Sequence, residues 1–449
     1  MLILNQKIVA AKTTPINRDL VNKAIKESGI ISPGKASIRE LTALVNRIEE
    51  VSGEKFIRME MGVPDLEPSK IAYEAEMKAL QSGVASKYPM LEGVPKLKKE
   101  ASRFVKNFLN TNVPEECCIP TVGSMQGGMA AFLMASRLHK EKDTILFIDP
   151  GFPAQKTQLE ILSIKYEAFD VYNYRGEKLK DKLESYFKKG NIAAVVYSNP
   201  NNPSWICFSE KELETIGLLA TEYGVVVIED LAYFAMDFRN DYGTPGVPPF
   251  QPTVSQYTDS YLLLISSSKA FSYAGQRIAF IAISPKLAKM RFPDLKRYFA
   301  FDEFLRTIIF GVMYALSSGV AHSVQYGYAA LLEAANNGTY RFLNDVKVYG
   351  EKAKLMKKLF TDDGFKIVYD MDEDKPIADG FYFTIAYPGM SSEELIENML
   401  CYGICAISLA ITGSERSEGL RACASQIQFE QMPVLEERLK QFHHDFSKA

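Results

Sequence analysis

From Thr144 onward the chain repeats one pattern: a short apolar run that stops at polar or acidic residues, then a stretch with apolar residues at helical spacing. Such alternation selects a mostly parallel sheet whose strands are joined by helical crossovers, rather than a sandwich or a bundle. The runs Thr144 to Asp149, Ile192 to Ser198, Val225 to Asp230, Tyr261 to Ser267 and Ile278 to Ser284 are read as strands. Between the second and third, Ser209 followed by Glu212 is a capping-box start for a helix that Gly224 stops. Leu305 to about Phe360 reads as a long, mainly helical connection, and Gly380-Phe381-Tyr382-Phe383-Thr384-Ile385 opens a second strand and helix alternation, its helix capped by Ser391 and Glu394. A chain of 449 residues exceeds what one core usually supports. The expected division is 1–65 as an N-terminal arm and part of a small domain, 66–320 as a large domain, and 321–449 as a smaller α+β domain.

A net charge of -3 gives no electrostatic case for nucleic acid or an anionic membrane surface. The basic cluster Pro95-Lys96-Leu97-Lys98-Lys99-Glu100 is read as a solvated helical face. Cys117, Cys118, Cys207, Cys401, Cys405 and Cys423 lack paired metal-ligand spacing and the four histidines do not complete one, so no metal site and a reducing compartment are expected. The start, Met1-Leu2-Ile3-Leu4-Asn5-Gln6-Lys7, lacks the marks of a signal peptide, and no stretch is long enough to span a membrane. The expected location is the cytoplasm.

In doubly wound sheets ligands sit beyond the carboxyl ends of the strands, which makes the residues after each apolar run the candidates. Leu262-Leu263-Leu264-Ile265-Ser266-Ser267-Ser268-Lys269 delivers one lysine into a serine-lined turn. A partly dry pocket there disfavours the ammonium and releases a nucleophilic amine that binds carbonyls; alone, the same lysine also fits a strand cap with its amine in water. Val225 to Asp230 ends in an acid, with Tyr233 a short turn later, and Val195-Val196-Tyr197-Ser198 runs into Asn199-Pro200-Asn201-Asn202-Pro203. Each has a bland reading, Asp230 as a cap and the Asn-Pro stretch as a turn, but neither explains their coincidence with Lys269 and Arg277. Upstream, Pro120-Thr121-Val122-Gly123-Ser124-Met125-Gln126-Gly127-Gly128 passes from a glycine turn into a helix. It is not a P-loop, since the Lys-Ser/Thr ending is missing. With Arg277 and the hydroxyls of Ser266 and Ser268 its unpaired amides make a phosphate cup.

In order and spacing these pieces resemble the fold-type-I pyridoxal-phosphate enzymes, above all the class I/II aminotransferases. The resemblance starts at Met61-Gly62-Val63-Pro64-Asp65, continues through Tyr88-Pro89-Met90-Leu91-Glu92-Gly93 and the motifs above, and ends at Leu420-Arg421-Ala422-Cys423-Ala424-Ser425. It implies a fold-type-I transferase, a mostly parallel central sheet flanked by helices with a smaller α+β domain, and pyridoxal 5'-phosphate bound by the large domain. It also implies that Lys269 carries the cofactor as a Schiff base and later shuttles the substrate's α-proton, that Asp230 keeps the ring nitrogen protonated, and that Asn202 and Tyr233 hydrogen-bond the ring oxygen. By the same resemblance Phe152 stacks on the ring, and Ser124, Met125, Ser266, Ser268 and Arg277 hold the phosphate together with Tyr88 from a second subunit, which makes a homodimer with shared active sites part of the expectation. Arg421, Gly62 and Asn202 are expected to bind the substrate's α-carboxylate end.

Three positions depart from the family pattern: Ser204-Trp205 in place of a small residue and Gly, Ala279 where Gly is usual, and Leu409 to Glu415 without a Pro-Gly pair. The leading expectation is amino transfer from an amino acid to a 2-oxo acid; a lyase acting at Cα or Cβ on the same scaffold is the alternative, and a non-catalytic cofactor-binding regulator finds too little chain ahead of the family-like region for a winged helix. Arg239, Arg291, Arg297 and Arg306 stay unassigned as partners for a substrate side chain. The loop Asn240 to Pro252, rich in Gly and Pro, is a candidate for shaping that choice.

Overall fold

The computed structural model describes residues 14–447, so the reading of residues 1–7 falls outside it. Seven strands form the main sheet. From one edge to the other they run Cys118–Thr121, Ala279–Ile283, Tyr261–Ser266, Val226–Leu231, Ile192–Ser198, Thr144–Asp149 and Lys165–Asp170. All neighbours are parallel except that Ala279–Ile283 runs against both of its partners. Every residue of Thr144–Asp149, Val226–Leu231 and Tyr261–Ser266 is buried, as expected of parallel strands covered by helices on both faces. All five strands read from the sequence are present, one of them differing by one residue at one end and two at both ends. The two the sequence reading omits are the edges: Cys118–Thr121 carries a proline, tolerated at an edge, and the exposed start of Lys165–Asp170 breaks the apolar pattern.

The expected crossover helix is Glu210–Tyr223, with a reciprocal Ser209 and Glu212 capping box and Gly224 at φ 59°. The expected helical connection is divided into shorter pieces, with one π-helical turn at Ile308–Met313, before His322–Asn336 packs on Lys70–Gln81 and Pro95–Leu109. A four-stranded sheet follows in the order Ile407–Ser408, Leu420–Cys423, Tyr382–Ala386, Lys366–Ile367. The first three of these are consecutively antiparallel, and Ser391 caps the helix Ser392–Cys401.

Two apolar cores result. One surrounds the seven-stranded sheet; the other gathers the amphipathic helices Arg18–Ser28 and Ile38–Ser52 with Val348–Asp362, Ser392–Cys401 and Met432–Phe446 around the small sheet. A buried ionic cluster joins distant segments: Arg175 pairs with Glu212 at 2.7 Å and with Asp372 at 2.8 Å, and Asp372 also takes Arg239 at 2.7 Å. Removing one member leaves uncompensated buried charge. Arg175→Ala is therefore expected to cost about 3–5 kcal/mol, read as a lower urea midpoint for unfolding, whereas Lys211→Ala, which breaks only the exposed pair with Glu177, should leave the midpoint within error.

Candidate active site

The strand ends create the site because each apolar run terminates at the same edge of the sheet. After Tyr261–Ser266 the chain turns tightly: Ser267 Oγ donates to Ile278 O at 2.7 Å, and Ser268 N donates to Ser266 Oγ at 3.1 Å. This turn aims Lys269 into a cavity of about 650 Å³, where Nζ donates to Gly62 O and lies 5.2 Å from the centre of the Phe381 ring. Desolvation, followed by the nearby Arg421 and Arg277 charges, lowers the amine's pKa to about 8. A Cβ on Gly62 would fall 1.8 Å from Tyr382 Oη, so this close approach of backbone needs glycine.

Asp230, on the neighbouring strand, is buried. Burial raises its pKa to about 6 despite hydrogen bonds from Ala232 N at 3.1 Å and Gln155 Nε2 at 3.0 Å. The next turn carries Tyr233, whose hydroxyl shares a 2.7 Å hydrogen bond with Tyr382 and whose burial pushes its pKa well above the usual value. Asn202 follows Ile192–Ser198, with its backbone N–H held by Ser198 Oγ at 3.2 Å. Arg421 reaches the same cavity from the small sheet. It is buried over the Tyr382 ring, 4.5 Å from its centre, and donates to Glu60 O and, at 3.5 Å, to Asn202 Oδ1, while Nε finds no partner.

At the other end of the cavity the helix Gly123–Ala135 begins. Gly123 has φ +65°, and a Cβ there would stand 2.5 Å from Arg277 Nη2, so the guanidinium packs directly against the helix start. Ser124 Oγ is buried without a hydrogen-bond partner. Phe152 caps the helix Pro153–Ile161 and lines the cavity rather than the core.

Of the residues singled out in the sequence, Lys269, Asp230, Tyr233, Asn202, Ser124, Met125, Phe152, Ser266, Ser268, Arg277, Gly62 and Arg421 all line this one cavity. Tyr88 does not; it is 91% exposed. The four unassigned arginines are elsewhere. Arg239 belongs to the Asp237 and Asp372 pairs, Arg291 and Arg297 bind surface acids, and Arg306 covers the Phe301 ring. Nor does the loop 240–252 contribute a lining residue; it is held to Asn107 and Phe108 by backbone bonds.

The departures are accommodated. Trp205 takes the left-handed φ of 64° that its Gly counterpart favours, and its fully buried indole fills the space beside Gly380, where a Cβ would lie 2.0 Å away, while its ring meets that of Tyr233 at 5.4 Å. Ala279 sits in a strand position opposite Thr121 and Ser266. The turn Leu409–Thr412 docks without a Pro-Gly pair through Gly151 N donating to Thr412 O at 2.8 Å.

The sequence profile of the family "Aminotransferase class I and II" matches residues 54–370. The chain belongs to this family. Among curated relatives, a probable aspartate aminotransferase of Methanocaldococcus jannaschii is 26% identical over 52% of this chain and 58% of the relative. An asparagine–oxo-acid transaminase of Streptococcus mutans is 22% identical over 53% of this chain and 59% of the relative. The matched region thus spans under two thirds of these relatives' lengths. Among solved structures, alanine aminotransferase from Pyrococcus furiosus superposes with a TM-score of 0.73 at 19% identity, covering 92% of this chain and 98% of that one. A Thermus thermophilus aspartate aminotransferase double mutant gives 0.72 at 16% identity, covering 94% and 99%. These likenesses show the fold-type-I aminotransferase fold.

Class I and II aminotransferases use pyridoxal 5'-phosphate, and the cavity suits that group. Ser124 offers an unused buried hydroxyl beside a guanidinium and a helix N-terminus, which together favour a phosphate. Asp230 is a buried carboxylate without a cationic partner, and Lys269 an amine held near its neutral form.

Two residues beyond the sequence reading belong to the family member's site: Gln155, which orients Asp230, and Tyr382, which bridges Tyr233 and Arg421. Gln155 lies three residues after Phe152, one helical turn into the same element, and that spacing is the only signal the sequence carries for it.

Two outcomes are expected. In the cofactor-free protein, acetylation of Lys269 followed by mass spectrometry across pH should rise about tenfold per pH unit and level off near pH 8, because only the neutral amine reacts; ordinary lysines keep rising toward about 10.4. Trp205→Ala should lower stability by about 3–5 kcal/mol through the cavity it leaves, measured by urea unfolding.

Proposed function

We propose that the protein is a pyridoxal-phosphate-dependent aminotransferase that moves an amino group from an amino acid to a 2-oxo acid. The observation that carries this reading is the convergence in one cavity of a lysine amine with a lowered pKa, a buried carboxylate and a buried arginine with an unused N–H, contributed by two different sheets.

When bound, the cofactor supplies an aldehyde that accepts the amine and a protonated ring that withdraws electrons from the substrate's Cα. The rest of the chemistry falls to the chain. Lys269 would hold the aldehyde through Nζ, condensing with loss of water as the neutral amine, the form that burial and the neighbouring guanidinium groups favour. Once displaced by substrate, Nζ would be free to take the proton from Cα and to deliver it to the former aldehyde carbon across the amino nitrogen, and the same lowered pKa suits both directions of that transfer. Asp230 holds a proton on the ring nitrogen: a buried carboxylate alone is poorly stabilised, and a cation beside it restores its charged form. Gln155 Nε2 and Ala232 N fix the orientation of its two oxygens.

Ser124, Met125, Ser266, Ser268 and Arg277 would hold the phosphate, Phe152 would pack against the ring, and Asn202 and Tyr233 would donate hydrogen bonds to the ring oxygen. Arg421 takes the α-carboxylate, because its buried Nε–H has no partner and its Nη1–H is weakly held, and an anion beside the guanidinium satisfies such donors; the backbone of Gly62 lies beside it. Tyr382, stacked under the guanidinium, keeps that group in place.

Homodimerisation with shared sites is part of the proposal. Tyr88, Met90, Phe310 and Tyr314 are exposed apolar or aromatic side chains, and Leu91, Phe301 and Arg306 line a shallow depression with the last two of them, a surface suited to a second copy that brings Tyr88 to the partner's phosphate. A large and a small domain built on the two cores, and a cytoplasmic location, complete the reading. All six cysteines are free, and among the described residues no helix is long and apolar enough to cross a membrane.

The deciding experiment loads purified protein with pyridoxal phosphate, adds single amino acids without any oxo acid, and assays the cofactor by chromatography. Conversion to pyridoxamine phosphate with one group of amino acids, and none in Lys269→Ala, is the expected result; oxo acid and ammonia accumulating while the cofactor stays unaminated would overturn it in favour of elimination. For the dimer, Tyr88→Ala and Lys269→Ala proteins, each inactive alone, are expected to regain activity when unfolded together and refolded, since one site of each mixed dimer is then intact.

A further inference from the structure

The cavity carries more positive charge than a phosphate and a single carboxylate require. Its walls hold four basic side chains, Arg39, Lys269, Arg277 and Arg421, against one carboxylate, Asp230. Three of the four are engaged with backbone carbonyls: Lys269 with Gly62, Arg277 with Ala274 and Arg421 with Glu60. Arg39 is exposed at the cavity wall and its side chain makes no ion pair or hydrogen bond with another described residue.

Local structure gives no reason for an arginine there. Arg39 is the second residue of the helix Ile38–Ser52, where the positive end of the helix disfavours a cation unless an anion is also present. The acid beside it is committed elsewhere, since Glu40 Oε2 accepts from Ser37 N at 2.8 Å as half of the capping box. The position is nevertheless fixed relative to Arg421. The turn Pro33–Lys35 that leads into this helix packs on Ile407–Ser408 and on Leu409–Thr412, and Ile407 pairs directly with Arg421 across the small sheet. Both guanidinium groups therefore approach the cavity from one framework, the buried one at its floor and Arg39 at its open side.

We propose that Arg39 binds a second, distal carboxylate, so that the site takes dicarboxylic amino acids and 2-oxo acids. The proposal rests on the aminotransferase reading and adds the substrate class to it. A second guanidinium lining the cavity that Arg421 enters gives a further carboxylate a partner, and, open to water on one side, it pairs with that group by two parallel charge-assisted N–H···O bonds.

The test compares wild-type protein loaded with pyridoxal phosphate with Arg39→Ala and Arg39→Lys. Amino transfer is measured with aspartate and glutamate against alanine, leucine and phenylalanine, and binding of succinate, a dicarboxylate without an amino group, by calorimetry. In Arg39→Ala the ratio of kcat/KM for acidic over neutral donors should fall about 10- to 100-fold, mostly through KM, and succinate should bind weaker by a similar factor; Arg39→Lys should recover part of both. A ratio and a succinate affinity that stay at the wild-type values would overturn the proposal. If no donor is turned over even by the wild type, the amino-transfer reading fails on its own, and the succinate comparison still decides the role of Arg39.

Discussion

The contact between Lys269 Nζ and Gly62 O ties the chemistry to the architecture. One partner ends a turn after a central strand of the large sheet; the other belongs to the segment that runs from the second core, just past Ile57–Arg58, which pairs with Ile404–Cys405. An amine so placed loses water on nearly every side, and it loses it next to two guanidinium groups. Desolvation is the larger effect and outweighs the opposing influence of Cys423, the two guanidinium groups add to it, and the pKa comes down to about 8. Had the strand end opened to solvent, the same residue would be an ordinary ammonium ion. The lowered pKa of this amine is therefore a product of packing between the two cores, and neither core alone would make it.

The same holds for Arg421. Arg421 lies on a strand of the small sheet, yet its guanidinium donates to Glu60 O, rests on Tyr382 and faces Asn202 of the large sheet. Tyr382 in turn shares its hydroxyl with Tyr233. A continuous chain of contacts thus links the arginine to the turn that follows Asp230. Trp205 buttresses this chain from behind: its ring meets Tyr233 edge-on, and the absence of a side chain at Gly380 makes room for it. A bulky residue in a left-handed turn is costly when considered locally, but here a glycine on the neighbouring segment absorbs its volume, which is why the departure from the family pattern leaves the turn intact.

What the sequence discloses follows from how local the cause is. Lys269, Asp230 and Asn202 are legible because each ends an apolar run, and a doubly wound sheet sends all such ends to one edge. The crossover helix is legible because Ser209, Glu212 and Gly224 cap it with their own side chains or dihedrals. The edge strand Lys165–Asp170 is hidden because an edge exposes alternate charged residues and loses its apolar pattern. Tyr382 and Arg39 are hidden for another reason: nothing near them in sequence distinguishes them from a core tyrosine and a solvated arginine. Only closure of the small sheet over the large one brings them to the cavity. The four arginines that the sequence left as candidates illustrate the converse, since Arg239 is consumed by a buried cluster with Asp237 and Asp372 that no spacing rule reveals.

Charge organises the cavity along its length. The helix N-terminus, Ser124 and Arg277 make one end attractive to a dianion. Arg421 makes the other attractive to a carboxylate, and Asp230 supplies the lone negative charge between them, where a ring cation is wanted. On the proposed function, such a gradient would repel the positively charged amine of an amino acid from both ends and tolerate it only in the middle, near Asp230. The amino acid's carboxylate and its amine would be sorted by sign before any hydrogen bond forms, and the side chain left pointing toward whatever the open side of the cavity presents.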